Sequence, residues 1–335
     1  MKLELYINRT LNLKRIKVVG LDMDHTIVRY KVEAFEHYTY LQMIKKLVEH
    51  KSYPAELKSL TFDYKKSIQG LVIDRKNGNI LKLNRYGKVK MAYHGSQQID
   101  FLKLKNLYSG RVIDLADFNV QSLDTNFSIS NGILFGQLVE LKDQGHKLPS
   151  YETISHDLKE VLDLCHKDGS IKSEIIANKE KYLYQDKGVV ELMQKLKLFG
   201  KKVIVITNSE IHYTNELLNY TINPFLKDGQ TWIDLFDITI TYSKKPSFFN
   251  DEKDFYKIDM NDFSKSKYDG KVCSGIFEGG SAHKLQEDLG FFGEDFLYFG
   301  DHIYGDVVAL KKTFNWRTAL VLHPLEDELL SIEKS

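Results

Sequence analysis

Lys17-Val18-Val19-Gly20-Leu21-Asp22-Met23-Asp24-His25-Thr26 is an apolar run that ends in two carboxylates one residue apart, followed by a hydroxyl. A short β-rich run bounded by polar residues reads as a buried parallel strand. Asp22 and Asp24 then fall at its carboxyl end, where open α/β sheets bind ligands. Two acids this close repel, and one resists ionising unless a cation holds the site or the two divide the labour. Phosphoryl transfer asks for that division: a carboxylate nucleophile, a second carboxyl to protonate the leaving oxygen, and Mg²⁺ to neutralise charge. The competing reading is a strand followed by a polar turn, with Asp24 or Thr26 capping a helix.

A chain of 335 residues can bury a large core and suggests about two domains. Its net charge of +1, with lysines scattered along it, makes no case for nucleic acid or an anionic membrane as partner. Cys165 and Cys273 have no paired or metal-ligand spacing, so we expect no disulfide and a cytoplasmic location. The start, Met1 to Tyr6, shows no apolar signal region, and no later stretch is apolar enough to span a bilayer. Histidines 25, 94, 283 and 302 lack pairing at i, i+4 or cysteine partners, and read as polar loop residues rather than metal ligands.

Phe35, Tyr38, Leu41, Ile44 and Leu47 suggest an amphipathic helix, and Gly70 to Val89 alternates apolar and polar residues between glycine turns, as an antiparallel meander does. A helical run is expected over Tyr151 to Lys167. Core strands are expected at Lys202 to Ile206, Ile238 to Thr241, Phe296 to Phe299 and Ala319 to Leu322, with helical stretches between them. An insertion of roughly 140 residues lies between Thr26 and the next core strand, far more than an ordinary βα loop. The fold class is therefore α/β: a doubly wound parallel-sheet core over 1–35 and 180–335, with a large inserted α+β cap domain over 36–179.

The Asp22, Asp24, Thr26 pattern resembles the Asp-x-Asp-x-Thr signature of the haloacid dehalogenase-like (HAD) phosphohydrolase superfamily, whose core is Rossmann-like. Gly70-Leu71-Val72-Ile73-Asp74 with Gly78-Asn79-Ile80-Leu81-Lys82 narrows the resemblance to the cytosolic purine 5′-nucleotidase branch. By that resemblance Asp22 is the nucleophile and Asp24 the general acid/base. Thr207 is the hydroxyl on the transferring phosphoryl group, with Asn208 beside it. Asp301 joins Asp22 and the backbone carbonyl of Asp24 on Mg²⁺, and Asp306 orients a metal-bound water or the lysine. Two lysines compete for the phosphate: Lys245, in a Lys-Pro-x-Phe-Phe segment similar to the branch's, and Lys284, which opens a helix as in other HAD enzymes. The branch-specific match favours Lys245.

In the cap, Asp124-Thr125-Asn126-Phe127-Ser128 is similar to the branch's base-binding segment. Phe127 stands where a ring stacks on the purine, while Asp124 and Ser128 replace asparagines. Asp157 and Lys167 fall near further nucleotide-contacting positions, and Glu152 stands where an arginine is expected. The resemblance implies an enzyme that hydrolyses nucleoside 5′-monophosphates, purine favoured, through an aspartyl-phosphate. It also implies a homo-oligomer, because members of the branch are oligomeric. A nucleoside phosphotransferase, a sugar-phosphate phosphatase and a non-catalytic nucleotide-binding module stay open as alternatives.

Overall fold

A computed structural model of the chain describes residues 6–7, 10–322 and 325, so the start Met1 to Leu5 lies outside the described residues. The strands in chain order are β1 Val18–Leu21, β2 Leu71–Asp74, β3 Asn79–Leu83, β4 Val89–His94, β5 Gln97–Gln98, β6 Val120–Leu123, β7 Lys202–Ile206, β8 Ile238–Thr241, β9 Phe255–Ile258, β10 Lys265–Tyr268, β11 Gly275–Gly279, β12 Phe296–Gly300 and β13 Arg317–Leu320. They divide between two compact units, one formed by 10–29 with 184–322 and the other by 30–183.

The first unit is an eight-stranded sheet ordered β10-β9-β11-β8-β7-β1-β12-β13. The six strands from β11 to β13 run parallel, and β9 pairs antiparallel with both β10 and β11. β1 is buried along its whole length because both of its edges are paired and both faces are covered. From β1 the order runs outward through β7, β8 and β11, then crosses back to β12 and β13 on the other side. The reversal at β1 and β12 is the switch point at which doubly wound sheets open a crevice beyond the carboxyl ends of their strands. A core of Val18, Ile204, Ile240, Phe249, Phe296 and Trp316 holds this sheet, with the Phe296 and Trp316 rings stacked at 4.2 Å.

The second unit carries the antiparallel sheet β5-β4-β3-β2-β6, which contains the meander expected at Gly70 to Val89. Side chains alternate across it. Val72, Leu81 and Ala92 on one face pack with Leu104, Leu107 and Tyr108 of the helix Phe101–Tyr108. The opposite face, with Ile80, meets the helix Ile129–Asp143. That helix packs in turn against Val32–His50 and Tyr151–Lys167.

Four expectations need correction. The stretch between β8 and β12, read as helical, contains β9, β10 and β11 as well as short helices. The last strand begins at Arg317 rather than Ala319. In Val32–His50 the buried face is Phe35, Thr39, Tyr40, Met43, Ile44 and Leu47, while Leu41 is 46% exposed. A strict spacing of three drifts by about 60° per step on a helix, which carries Leu41 off the face that Phe35 begins. Finally, His94 lies in β4 and His283 in the helix Ala282–Leu289, so neither is a loop histidine, and His25, in the turn after β1, is fully buried. Among the described residues no helix is long and apolar enough to cross a membrane.

Candidate active site

Two glycines set the geometry at the switch point. Gly20 in β1 pairs with Tyr298 in β12, and a Cβ on Gly20 would stand 2.7 Å from the tyrosine ring. The missing side chain lets Tyr298 lie flat against β1, where its hydroxyl donates to the Ile206 carbonyl at 3.1 Å. Gly300 closes β12, and a Cβ there would meet Asp306 Oδ2 at 2.4 Å. Its absence lets the wide turn Ile303–Val308 bring Asp306 against the strand end.

The main chain of Asp22 is tied to β12 by donation from its N–H to the Phe299 carbonyl at 2.8 Å. Asp22, Asp301 and Asp306 are all buried, and each offers a carboxylate oxygen within 4.8 Å of the others. Lys245 enters this group from the loop after β8. Its Nζ lies 2.9 Å from Asp22 Oδ1, 2.9 Å from Asp306 Oδ1 and 2.9 Å from the Tyr298 hydroxyl. The loop is bent by Tyr242 and Lys244, both left-handed with φ of 44° and 60°, a strained conformation that the neighbouring contacts must hold. Asn208 supplies such contacts: its side-chain oxygen accepts from the Lys245 N–H at 2.6 Å and from Ser243 Oγ at 3.0 Å, and its amide donates to the Lys245 carbonyl at 3.1 Å.

Asp24 stands apart from the three-carboxylate group. Its Oδ2 accepts from Ser209 Oγ at 2.8 Å. Thr207 is buried at the end of β7, and its Oγ1 accepts the Ser209 N–H at 3.0 Å, which leaves the hydroxyl proton for another acceptor.

The electrostatics of the cluster are unbalanced: three carboxylates meet one ammonium. Burial pushes Asp301 up to about 7, with Asp306 adding to the shift. Burial also holds Asp22 well above the usual carboxylate range; Lys245 opposes this, while Asp306, Asp301 and Asp24 reinforce it. For Lys245 burial acts to lower the pKa, but Asp22 and Asp306 outweigh it and keep the ammonium charged. A buried group of hard oxygens with uncompensated negative charge has the donor chemistry of a hard divalent-cation site, so the residues present fit such an ion. Among the described residues one other set has metal-like spacing, His156, Asp157 and Glu160, and there Lys51 already pairs with Asp157 at 2.9 Å and with Glu160.

The structure thus brings together Asp22, Lys245, Asp301 and Asp306, and sets Thr207, Asn208 and Asp24 around them. Lys284 is engaged elsewhere, pairing with Asp288 of its own helix at 2.9 Å. Within the second unit, Phe127 sits edge-on to Tyr30, Phe35 and His166 at 6.1, 5.2 and 5.6 Å between ring centroids. The Asp124 carbonyl accepts from Gln69, and Ser128 Oγ donates to the Thr125 carbonyl. Asp157 accepts from Tyr53 at 3.0 Å and pairs with Lys51, while Lys167 and Glu152 are exposed. Sequence reasoning missed Tyr298 and Ser209. The available signal for Tyr298 was a hydroxyl inside the apolar run Phe296 to Phe299, since a buried tyrosine needs a partner.

The model of the 5′ nucleotidase family matches residues 5–335. A 5′-nucleotidase domain-containing protein of Dictyostelium discoideum is 27% identical over 334 residues, covering 97% of this chain and 56% of that protein. The chain therefore spans about half the length of the curated relative it matches. Among solved structures, an HAD hydrolase of Bacillus subtilis bound to magnesium is 14% identical with a TM-score of 0.31, covering 91% of this chain and 86% of that one. A haloacid dehalogenase-like family hydrolase of Xanthomonas campestris is 10% identical with a TM-score of 0.34, covering 95% and 97%.

Proposed function

This chain belongs to the 5′ nucleotidase family, whose members are phosphatases, and we propose that it hydrolyses nucleoside 5′-monophosphates with Mg²⁺ through an aspartyl-phosphate on Asp22. The observation that carries this reading is the buried set at the ends of β1 and β12, with Lys245 Nζ at 2.9 Å from both Asp22 and Asp306.

Asp22 attacks phosphorus in line, forming the Asp22–phosphorus bond as the ester oxygen–phosphorus bond breaks. Asp24, held by Ser209 through Oδ2, gives a proton to the departing alkoxide, which leaves as the nucleoside. The same carboxylate then takes a proton from water as the water oxygen attacks phosphorus, which frees Asp22 and inorganic phosphate. Thr207 directs its hydroxyl proton to a phosphoryl oxygen, and the Lys245 ammonium stabilises charge there. Asp306 and Tyr298 keep Lys245 extended toward Asp22. Asn208 contributes by fixing the loop that carries Lys245. Asp22, Asp301 and the Asp24 carbonyl would hold Mg²⁺, which when bound neutralises charge on the phosphoryl oxygens.

In this reading the unit 30–183 selects the substrate through Phe127. The free thiols Cys165, buried, and Cys273, exposed, support a cytoplasmic setting. The test is phosphate release across nucleoside monophosphates and sugar phosphates, with and without added nucleoside. Faster release from nucleotides supports the proposal; transfer to the added nucleoside would reassign the enzyme as a phosphotransferase, and turnover of sugar phosphates alone would remove the nucleotide.

A further inference from the structure

The meander sheet of the 30–183 unit has a second use for its alternation. Val72, Leu81 and Ala92 face the helix Phe101–Tyr108, so their neighbours Leu71, Ile80, Lys82, Met91 and Tyr93 point to the other side. Ile80 is registered opposite Tyr93, and Lys82 opposite Met91. With the helix Ile129–Asp143 and the segment 61–68 they enclose a cavity of about 550 Å³, a size that suits a small organic ligand.

Two features keep this space open and give it a charge. Gly132 and Gly136 lie one turn apart on the helix wall. Gly132 is required by packing, since a Cβ there would meet Ser67 Oγ at 2.4 Å. Gly136 is not so required: its Cβ would make only ordinary contacts, at 3.4 Å to the Gly95 carbonyl and 3.6 Å to Ile80. A helix-interior glycine without a steric reason costs stability relative to alanine, and here it leaves volume in the cavity.

The rim carries Lys65, Lys66 and Lys82, and among the described residues none of them makes an ion pair. The acids in the lining are Asp63, whose carboxylate is turned back onto the Lys65 N–H at 3.1 Å, and Glu140. Apolar walls under unpaired ammonium groups match one kind of ligand, an anion with an apolar body.

We propose that this cavity is a binding site for a small amphipathic organic anion, seated with its apolar part between Ile80, Met91, Tyr93 and Ile133 and its anionic group on Lys65, Lys66 and Lys82. The site is separate from the phosphoryl-transfer residues and does not depend on their assignment.

The probe is 8-anilinonaphthalene-1-sulfonate, compared with N-phenyl-1-naphthylamine, which has the same body without the sulfonate. The full chain is labelled with ¹³C-methyl methionine, and the Met91 and Met23 signals are assigned by Met→Leu variants. Met91 lines the cavity, whereas Met23 lies between Asp22 and Asp24. The sulfonate should move the Met91 signal and bind about tenfold more tightly than the neutral analogue, the scale of a charge-assisted contact. The double variant Lys66→Glu, Lys82→Glu should remove that advantage. An unmoved Met91 signal, movement of Met23 alone, or equal sulfonate affinity in the charge-reversed variant would overturn the proposal.

Discussion

Buried polar groups in the two units are arranged in opposite ways. In the 30–183 unit one run of hydrogen bonds links six side chains, each to its neighbour, from a buried end at Asp74 to a partly exposed end at Tyr151. Asp74 accepts from the Tyr108 hydroxyl at 2.6 Å, Tyr108 accepts from Asn79 at 2.7 Å, and His94 bridges Asn79 and Asp143 at 2.7 Å each, with Tyr151 donating to Asp143. At the ends of β1 and β12, three buried carboxylates share one ammonium. A run whose members are paired in this way stabilises a fold, because each desolvated group in it regains a partner. An open, charge-unbalanced cluster costs stability and persists where a ligand supplies the missing charge. The contrast teaches where to look for chemistry: not at the largest polar network but at the one left incomplete.

The sharpest way to break this contrast is to remove one member from each network. Asp22→Asn should abolish phosphate release, since an amide is a poor nucleophile, while the fold survives the loss of one repelling charge. Tyr108→Phe should do the reverse, costing about 1–3 kcal/mol of stability by leaving Asp74 and Asn79 short of a partner, with kcat unchanged. Phosphate-release kinetics and urea unfolding on both variants check this. Turnover by Asp22→Asn, with deamidation excluded by mass spectrometry, would end its assignment as nucleophile.

A smaller effect is expected from the lysine. Lys245→Met should lower kcat by about 10²–10³, the scale of losing one electrostatic stabiliser from a water-poor site. Lys284→Met should change kcat little, because its ammonium is occupied by Asp288. Asp301→Ala tests the cluster from the metal side. Mg²⁺ affinity measured by calorimetry should fall with folding intact, and an unchanged titration would take Asp301 out of the metal shell.

Much of the sheet was legible because its apolar runs end abruptly at polar residues. β1, β7, β8 and β12 each read as a strand from local composition, and Asp22, Thr207 and Asp301 stand where those runs stop; the roles proposed for them, and the choice of Lys245 over Lys284, come from the resemblance to the nucleotidase branch. β10 was not legible: Lys265 to Tyr268 is an exposed edge strand, where lysines replace the apolar signal and protect the edge. Tyr298 and Ser209 were hidden for another reason. Their roles lie in contacts to Lys245 and Asp24, 53 and 185 positions away, and no local pattern encodes such distances.

Glu36 sharpens the comparison, being a buried acid in the second unit with no cation beside it. Its Oε2 accepts from the Ser130 N–H at 2.6 Å and from Ser130 Oγ at 2.7 Å, yet burial still pushes it up to about 7 from an ordinary 4.5. Between those values the folded protein holds a proton that the unfolded chain has released, so stability falls as pH rises through this window and is flat above it. The loss is about 3 kcal/mol by linkage. Glu36→Gln keeps an acceptor for Ser130 and removes the titration, so it should be more stable than the parent at pH 8 and no more stable at pH 4. A difference in unfolding free energy that does not change with pH would show that Glu36 finds its compensation elsewhere.

The smallest effect separates packing from recognition at Phe127. The ring touches Tyr30, Phe35 and His166 edge-on, which fixes its plane, and it remains half-buried rather than sealed in the core. An aromatic face held by its neighbours is a ready stacking platform, because little conformational freedom is lost when a base settles on it. Phe127→Ala should then raise KM for a nucleoside monophosphate by the equivalent of about 1–3 kcal/mol while sparing a small phosphomonoester such as p-nitrophenyl phosphate. If the ring only fills the aromatic cluster, truncation leaves a void beside Tyr30 and Phe35. Both substrates would then suffer alike, together with the melting temperature. Equal losses on the two substrates would therefore assign Phe127 to packing within its aromatic cluster and leave substrate selection to other residues of its unit.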